Sequence, residues 1–487
     1  MINHNESFSN IGLNLKASYT KLPEILFSKL MPISVKDPKT LIINEELSTE
    51  LGIDFSNLSN KDLSNFLSGN TMPDGIGPFA QAYAGHQFGN FTILGDGRAL
   101  TIGEQSTPKG EIYDIQYKGS GRTPYSRGGD GRAALGPMLR EYLISEAMFH
   151  LNIPTTRSLA VVETGEKVLR ETPLKGAILT RVAASHVRIG TFQFLAAHKD
   201  IESMTKLLDY CIKRHFPEIL DSPNKVIKFI ELVMSKQIDL IVNWMRVGFI
   251  HGVMNTDNST ICGETIDYGP CAFMDQYDHK AVFSSIDFQG RYAYGNQPAA
   301  IHWNLFRLAE SLLPLIDKDE TKSIKIAQNT IDSFSEIFNE KWQNMMRSKL
   351  GLTDQSEEDE VLIKDLLTWM QSKKPDFTNT FANLMDSNHA NDEEFEENDF
   401  LEWKKNWKER VNNKDYLNIM KKTNPILIPR NSLVEEALHE AETIGKIDKF
   451  NELNKVIASP YNIEKVPKKY LDTPKKSNIP YKTFCGT

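Results

Sequence analysis

A chain of 487 residues can hold two or three packed units, each with its own core. Its 40% hydrophobic and 25% charged residues are the balance of an ordinary globular protein, and a formal net charge of -8 argues against a dedicated nucleic-acid binder. No run approaches ~18 consecutive apolar residues, so no membrane span is expected. The first residues read as neither signal nor transit peptide, and the expected compartment is the cytoplasm.

Residues 1 to about 75 read as an arm with one or two helices, one of them in the Leu-rich LSNKDLSNFLSGN. From Pro78 the texture changes to glycine and short apolar runs. Residues 91–94 and 99–102 read as two strands joined by Gly95-Asp96-Gly97-Arg98, whose Gly and Asp content is that of a hairpin turn. Residues 113–118 alternate polar and apolar, as a half-buried strand does. The glycine-rich loop GSGRTPYSRGGDGRAALGP follows, then a helix over 137–150 with Leu139, Tyr142, Leu143 and Met148 on one face. Strand-like segments at 159–162, 168–170 and 177–182 complete a mixed sheet.

From about residue 191 the pattern turns helical. A long amphipathic helix is expected over 226–244, ending at Gly248, with more helices over 301–316 and 324–346. Residues 352–400 are acidic and interrupted, and read as a solvated loop or insertion. LEWKKNWKERV reads as a helix with Trp403 and Trp407 as core anchors, NPILIPRNSLVEEAL enters another helix, and the Pro- and Lys-rich tail is expected to lie extended over the surface. The organisation expected is therefore an arm (1–75), a β-rich part (76–190), a helical part (191–350), and a helical extension with tail (351–487).

The chemistry concentrates at a few places. Lys118 ends a strand just before Gly119-Ser120-Gly121. A strand-borne Lys reaching phosphates, paired with a Glu on the following helix, is the arrangement kinases use, and Glu141 lies on that helix. Gly95 and Gly97 let backbone N–H groups approach phosphate, and Arg98 offers a planar fork to its oxygens. Asp130-Gly131 falls inside the glycine loop, and Arg181 and Arg188 stand seven apart. The stretch HGVMNTDNSTICGETIDYG, residues 251–269, sets Asp257-Asn258 ahead of Asp267-Tyr268-Gly269, and such oxygen donors suit Mg²⁺ shared with substrate phosphates. Together these residues describe a kinase-like phosphate and metal site. The spacing departs from protein kinases: Asn follows Asp directly, and the glycine loop comes after the Lys.

The motifs FAQAYAGHQFG, GDGRA, YKGSGRTPYSRGGDGRAALGPMLREY, HGVMNTDN and DYGP resemble those of the selenoprotein O family, also called the YdiU family. The resemblance runs from about residue 78 to 312 and returns at NPILIPRNSLVEEAL and YKTFCGT. It implies an α+β, two-lobed protein-kinase-like fold, with an N-terminal arm and a C-terminal helical extension. It implies a protein adenylyltransferase that moves AMP from ATP to Ser, Thr or Tyr hydroxyls of protein substrates and releases pyrophosphate. UMP transfer from UTP with Mn²⁺ is also implied for bacterial members. Position by position, Gly95, Gly97, Arg98, Lys118, Asp130, Gly131, Arg181 and Arg188 match nucleotide-binding positions. Asp257 matches the proton acceptor, Asn258 and Asp267 the ligands of Mg²⁺ or Mn²⁺ (Asp267 also facing the nucleotide), and Glu141 the partner of Lys118. Cys485 stands where animal members carry selenocysteine. Some bacterial members tie that Cys to one in the segment after the metal Asp; residues 283–285 hold none here, and the nearest candidate is Cys271. The rival readings are a kinase transferring the γ-phosphate and a non-catalytic nucleotide-binding pseudokinase. No nucleic acid or membrane partner is expected, and the sequence does not specify an oligomeric state.

Overall fold

A computed structural model describes residues 8, 11–387, 389, 393–411, 414–462, 466–474 and 481–484. In chain order the chain forms β1 (Phe27–Lys29), β2 (Lys39–Ile43), α1 (Glu45–Glu50), α2 (Asn60–Leu67), β3 (Phe79–Gln87), β4 (Asn90–Gly95), β5 (Ala99–Ser106), β6 (Ile112–Lys118), β7 (Ala133–Ala134), α3 (Leu135–His150), β8 (Arg157–Leu169) and β9 (Pro173–Ala183). Then come α4 (Ile189–Ala197), α5 (Ile201–His215), α6 (Lys225–Arg246), β10 (Phe249–Ile250), β11 (Ala272–Phe273), α7 (Gln297–Ile316), α8 (Glu320–Asp332), α9 (Phe334–Lys349), α10 (Glu358–Lys373), α11 (Phe377–Met385), α12 (Asn398–Arg410), α13 (Tyr416–Thr423), α14 (Asn431–Thr443) and α15 (Asp448–Ile457). The class is α+β.

The nine-stranded sheet has the order β1-β3-β5-β6-β9-β8-β2, with β4 on β3 and β7 on β9. Its strand pairs are antiparallel. Strand alternation divides its residues between two sides. On β6, Ile115 and Tyr117 enter a cluster with Leu47, Leu63, Phe66 and Leu67 from α1 and α2. Gln116 and Lys118 face the opposite side, where α3 packs and the polar site lies. The first 75 residues thus cover one face of the sheet and supply a strand to each of its margins.

Several elements differ from expectation. Gly95-Asp96-Gly97-Arg98 is not a hairpin turn, because β4 pairs with β3 and β5 pairs with β3 and β6. The turn is the preceding Phe88-Gly89, both at positive φ (50° and 90°), as a two-residue hairpin requires. The segments at 159–162 and 168–170 belong to one strand, β8, whose register shifts between Glu163 and Lys167; that irregularity reads as a gap in sequence. The helix expected over 324–346 is two, α8 and α9, parted at Ser333, whose hydroxyl bonds back to Thr330 O at 2.8 Å.

The acidic stretch 352–400 is not a solvated loop. It forms α10 and α11, with Leu362, Ile363, Leu366, Trp369, Phe381, Phe395 and Phe400 buried while Glu358, Glu360 and Asp365 stay exposed. A charged outer face hid the apolar stripe. Trp403 and Trp407 are core anchors: their rings stack at 6.2 Å, and their indole N–H groups donate to Leu362 O and Leu350 O, each at 2.9 Å. Among the described residues no helix is long and apolar enough to cross a membrane.

Candidate active site

Lys118, the last residue of β6, is opposite Leu179 of β9 in the ladder, and Gln116 is opposite Arg181. Register therefore puts Lys118 and Arg181 on one face of the sheet, beneath α3. Lys118 Nζ lies 2.6 Å from Glu141 Oε2 and 2.7 Å from Asp267 Oδ1. Arg181 lies 3.1 Å from Glu141 and 2.7 Å from the same Asp267 oxygen, while Gln116 Oε1 accepts from its Nη2 at 2.6 Å. Arg188, just ahead of α4, reaches the other Asp267 oxygen at 3.2 Å and donates to the main-chain oxygen of Asp257 at 2.7 Å. Burial opposes ionisation of Asp267, yet Lys118, Arg181 and Arg188 outweigh it and hold the carboxyl well below its usual range. Three cations thus converge on one carboxylate, at the place where a polyphosphate would need them.

Asp267 stands at φ 63°, in the left-handed region, and its main-chain oxygen accepts from Gly269 N–H at 3.0 Å. The chain before it is pinned by His251, whose Nε2 lies 2.8 Å from Ile266 O and whose ring stacks on Trp244 at 5.3 Å. Tyr268 is buried against Phe249 and shares a hydrogen bond with Thr155.

Asp257 lies in a short 3₁₀ turn, Thr256–Asn258, that packs under β3. His86 N–H donates to Thr256 Oγ1 at 2.7 Å, and Phe88 N–H donates to Asn255 Oδ1 at 3.0 Å, so the β3–β4 hairpin lies directly over the turn. The Asp257 side chain is buried. Its Oδ2 receives one long contact from Gln87 Nε2 at 3.5 Å, and its Oδ1 has no partner among the described residues. Burial, opposed by Arg188, pushes its pKa up to about 6. A buried carboxylate of raised proton affinity, with only a long contact on Oδ2, can take a proton from a hydroxyl.

Two glycines make this approach possible. A Cβ at Gly85 would overlap Asp257 Oδ1, and one at Gly190 would overlap Ala84 O and come within 3.4 Å of the Asp257 Cα. Neither need was legible in sequence; FAQAYAGHQFG shows that a small residue stands there, not what it faces.

All twelve expected positions line one cavity of about 1210 Å³: Gly95, Gly97, Arg98, Lys118, Asp130, Gly131, Glu141, Arg181, Arg188, Asp257, Asn258 and Asp267. Their closeness to its centre differs. Asp130 is at the rim, paired with Arg170 at 3.0 Å, and Gly131 O closes the glycine loop by accepting from Gly121 N–H at 3.0 Å. Gly95 and Gly97 leave room for Tyr125 to pack against the turn.

Sequence reasoning also passed over several lining residues. Tyr83 lies under the Arg188 guanidinium, 4.5 Å from ring to cation. Asp96, read only as a turn residue, is buried; its Oδ2 accepts from Gln81 N–H at 3.0 Å and its Oδ1 lies 3.7 Å from Arg188. The tail lies at the surface at Lys482 and Phe484, which are exposed, and with Tyr481 and the buried Thr483 these residues also line the cavity. Cys485 lies outside the described residues. Cys271 is a buried thiol whose pKa burial pushes up to about 11, with Arg140 opposing, which makes it unreactive in this state.

With this geometry in view, a family model described as protein adenylyltransferase SelO matches residues 10–458. The chain belongs to the SelO family. Its similarity to curated members spans nearly the whole chain. It is 52% identical over 482 residues to the protein nucleotidyltransferase YdiU of Pelagibacter ubique (strain HTCC1062), covering 98% of this chain and 100% of that one. It is 54% identical over 481 residues to that of Brevibacillus brevis (strain 47), covering 98% of each. It is 53% identical over 489 residues to that of Clostridium perfringens (strain SM101), covering 99% and 100%. The family match takes in α14, whose Glu435, Leu438 and Glu442 line the cavity.

Proposed function

We propose that this SelO family member transfers AMP from ATP to hydroxyl side chains of proteins, with pyrophosphate as the leaving group. The observation that carries the reading is the convergence of Lys118, Arg181 and Arg188 on Asp267 beside the buried Asp257 carboxylate, whose Oδ2 has only a 3.5 Å contact from Gln87. The acceptor oxygen attacks the α-phosphorus as its proton passes to Asp257, and the bond from that phosphorus to the α–β bridging oxygen breaks. The three cations offset charge on the departing pyrophosphate, and Glu141 holds Lys118 and Arg181 in place between its two oxygens. Gly95, Gly97, Arg98, Asp130 and Gly131 form the nucleotide-facing mouth. UTP is a second candidate donor at the same cavity.

The residues fit a divalent ion. Asn258 Nδ2 donates to Val253 O at 3.0 Å, which leaves Oδ1 as a ligand oxygen, and the Asp267 side chain remains 24% exposed. Among the described residues no three His, Cys, Asp or Glu side chains form a ready cage, so phosphate oxygens would complete the coordination. Bound Mg²⁺ or Mn²⁺ would supply further charge compensation at the phosphates.

The part over 76–190 and the part over 191–350 correspond, in this reading, to the two lobes of a kinase-like fold, with residues 1–75 as its arm and 351–487 as its extension. Incubation with ATP labelled at the α or the γ position decides the reaction. Label on protein from the α position is expected. Label only from the γ position makes the protein a kinase, and label from neither makes it a nucleotide-binding module.

A further inference from the structure

We propose that the ledge formed by residues 283–292 seats the acceptor, an extended segment of a substrate protein with an apolar residue and a carboxylate near its hydroxyl. This rests on the AMP-transfer reading of the cavity. The ledge is held at both ends. At one end Thr483 N–H donates to Phe283 O at 2.8 Å, Ser285 N–H donates to Thr483 O at 2.9 Å, and the Thr483 hydroxyl donates to Pro270 O at 2.7 Å. At the other end the Asp287 carboxylate accepts from Arg291 N–H at 2.9 Å and Tyr292 N–H at 2.8 Å. Tyr292 OH then donates to Asn255 Oδ1 at 2.8 Å, the oxygen that also takes Phe88 N–H. The ledge therefore runs from the tail wall of the cavity to the turn that carries Asp257.

What it presents outward has no use inside the chain. Phe288 is 88% exposed and Ile286 47%, and Phe484, on the adjoining tail, is 71% exposed. Large exposed apolar side chains mark an interaction surface, and the ledge that carries Ile286 and Phe288 is tied to Thr483 and Asn255, both of which line the cavity. Arg291 adds a cation that interacts with Tyr292 and Trp303 but has no ion pair among the described residues. Its guanidinium lies 4.9 Å from the Trp303 ring and 5.7 Å from the Tyr292 ring, its Nε is buried without a partner, and no carboxylate among the described residues lies within ion-pair distance. Lys118, Arg181 and Arg188, by contrast, are each paired. Aromatic rings thus hold a cation on the same ledge as two exposed apolar side chains, and the complement of that ledge is an acidic residue near an apolar one. The net charge of -8 sets nucleic acid aside as the occupant.

The test uses the full chain with ATP, Mg²⁺ and a library of serine-centred synthetic peptides, with AMP addition read by mass. The unaltered protein is expected to prefer peptides with Asp or Glu and Leu or Phe near the serine. Phe288→Ala and Arg291→Gln should each raise the KM for the preferred peptide about tenfold or more while displacement of a fluorescent ATP analogue stays unchanged. Arg291→Lys should retain the preference, and Arg291→Glu should turn it toward Lys-containing peptides. Unchanged peptide selectivity in Phe288→Ala and Arg291→Glu overturns the ledge as an acceptor seat. So does conversion of a dimer to a monomer by Phe288→Ala with selectivity intact, which would assign the surface to a second copy. No labelling of any peptide by the unaltered protein overturns the transfer reading itself, and the ledge with it.

Discussion

At the scale of single residues, the site depends as much on what is missing as on what is charged. Gly85 has ordinary backbone angles, so its role is space alone: any Cβ would enter the volume of Asp257 Oδ1. Gly85→Ala is expected to cut AMP transfer about 100-fold by displacing that carboxylate, with ATP binding retained. Unchanged turnover, measured by α-labelled ATP, would remove the steric argument. Asp114 shows a charge used for stability. Burial alone would raise its pKa, but Arg214 at 2.6 Å and His186 outweigh it and hold it at about 2, against an ordinary 3.8. The sign follows from the lowered value: the contribution, about 2 kcal/mol, is present above pH ~4 and lost as pH falls through ~2. Asp114→Asn should lower the urea midpoint at pH 7 and flatten the acid limb between those values.

At the scale of elements, the β3–β4 hairpin is the piece that roofs the Thr256–Asn258 turn. Its tip requires two consecutive positive φ values, and Gly89 meets the second without strain. Gly89→Val should cost about 1–3 kcal/mol locally. Because Phe88 N–H and His86 N–H bond to Asn255 and Thr256, that loss should appear as faster hydrogen exchange over 84–90 together with slower transfer. Equal exchange in variant and parent would show that the hairpin does not depend on its turn.

For the whole molecule, the C-terminal extension is part of the site and not an appendage. Arg430 ends the NPILIPR segment and is buried between Asp376 at 2.6 Å and Asp275 at 2.9 Å, while Asn431 Nδ2 donates to Phe273 O at 2.8 Å. These contacts fasten α14 to the strand that follows Asp267. Arg140 of α3 adds a second tie, reaching Glu435 at 2.8 Å and Cys271 O at 2.7 Å. Arg430→Ala leaves Asp376 buried and unpaired, and should destabilise the protein by about 3–5 kcal/mol. Thermal unfolding checks it: a Tm within a degree of the parent would mean that the extension is held otherwise.

The sequence by itself picked out residues that meet in one cavity. Lys118, Glu141, Asp257, Asn258 and Asp267 have functional groups suited to phosphate and metal binding, and they occur in motifs long enough to read. It also determined local periodicity where one face is plainly apolar, as in α3 and α6. Helices hidden by an acidic outer face, as in α10, were not legible, because charge on one side masks a stripe that only burial reveals. What tertiary structure alone decided is which neighbours those side chains meet: three cations on one carboxylate, glycines that admit Asp257, and a tail that walls the cavity. Each arises from contacts between residues some 80 to 300 positions apart, as from Arg188 to Asp267 and from Arg140 to Glu435. Spacing along a chain specifies a helix face or a strand face, but not which distant face will pack against it.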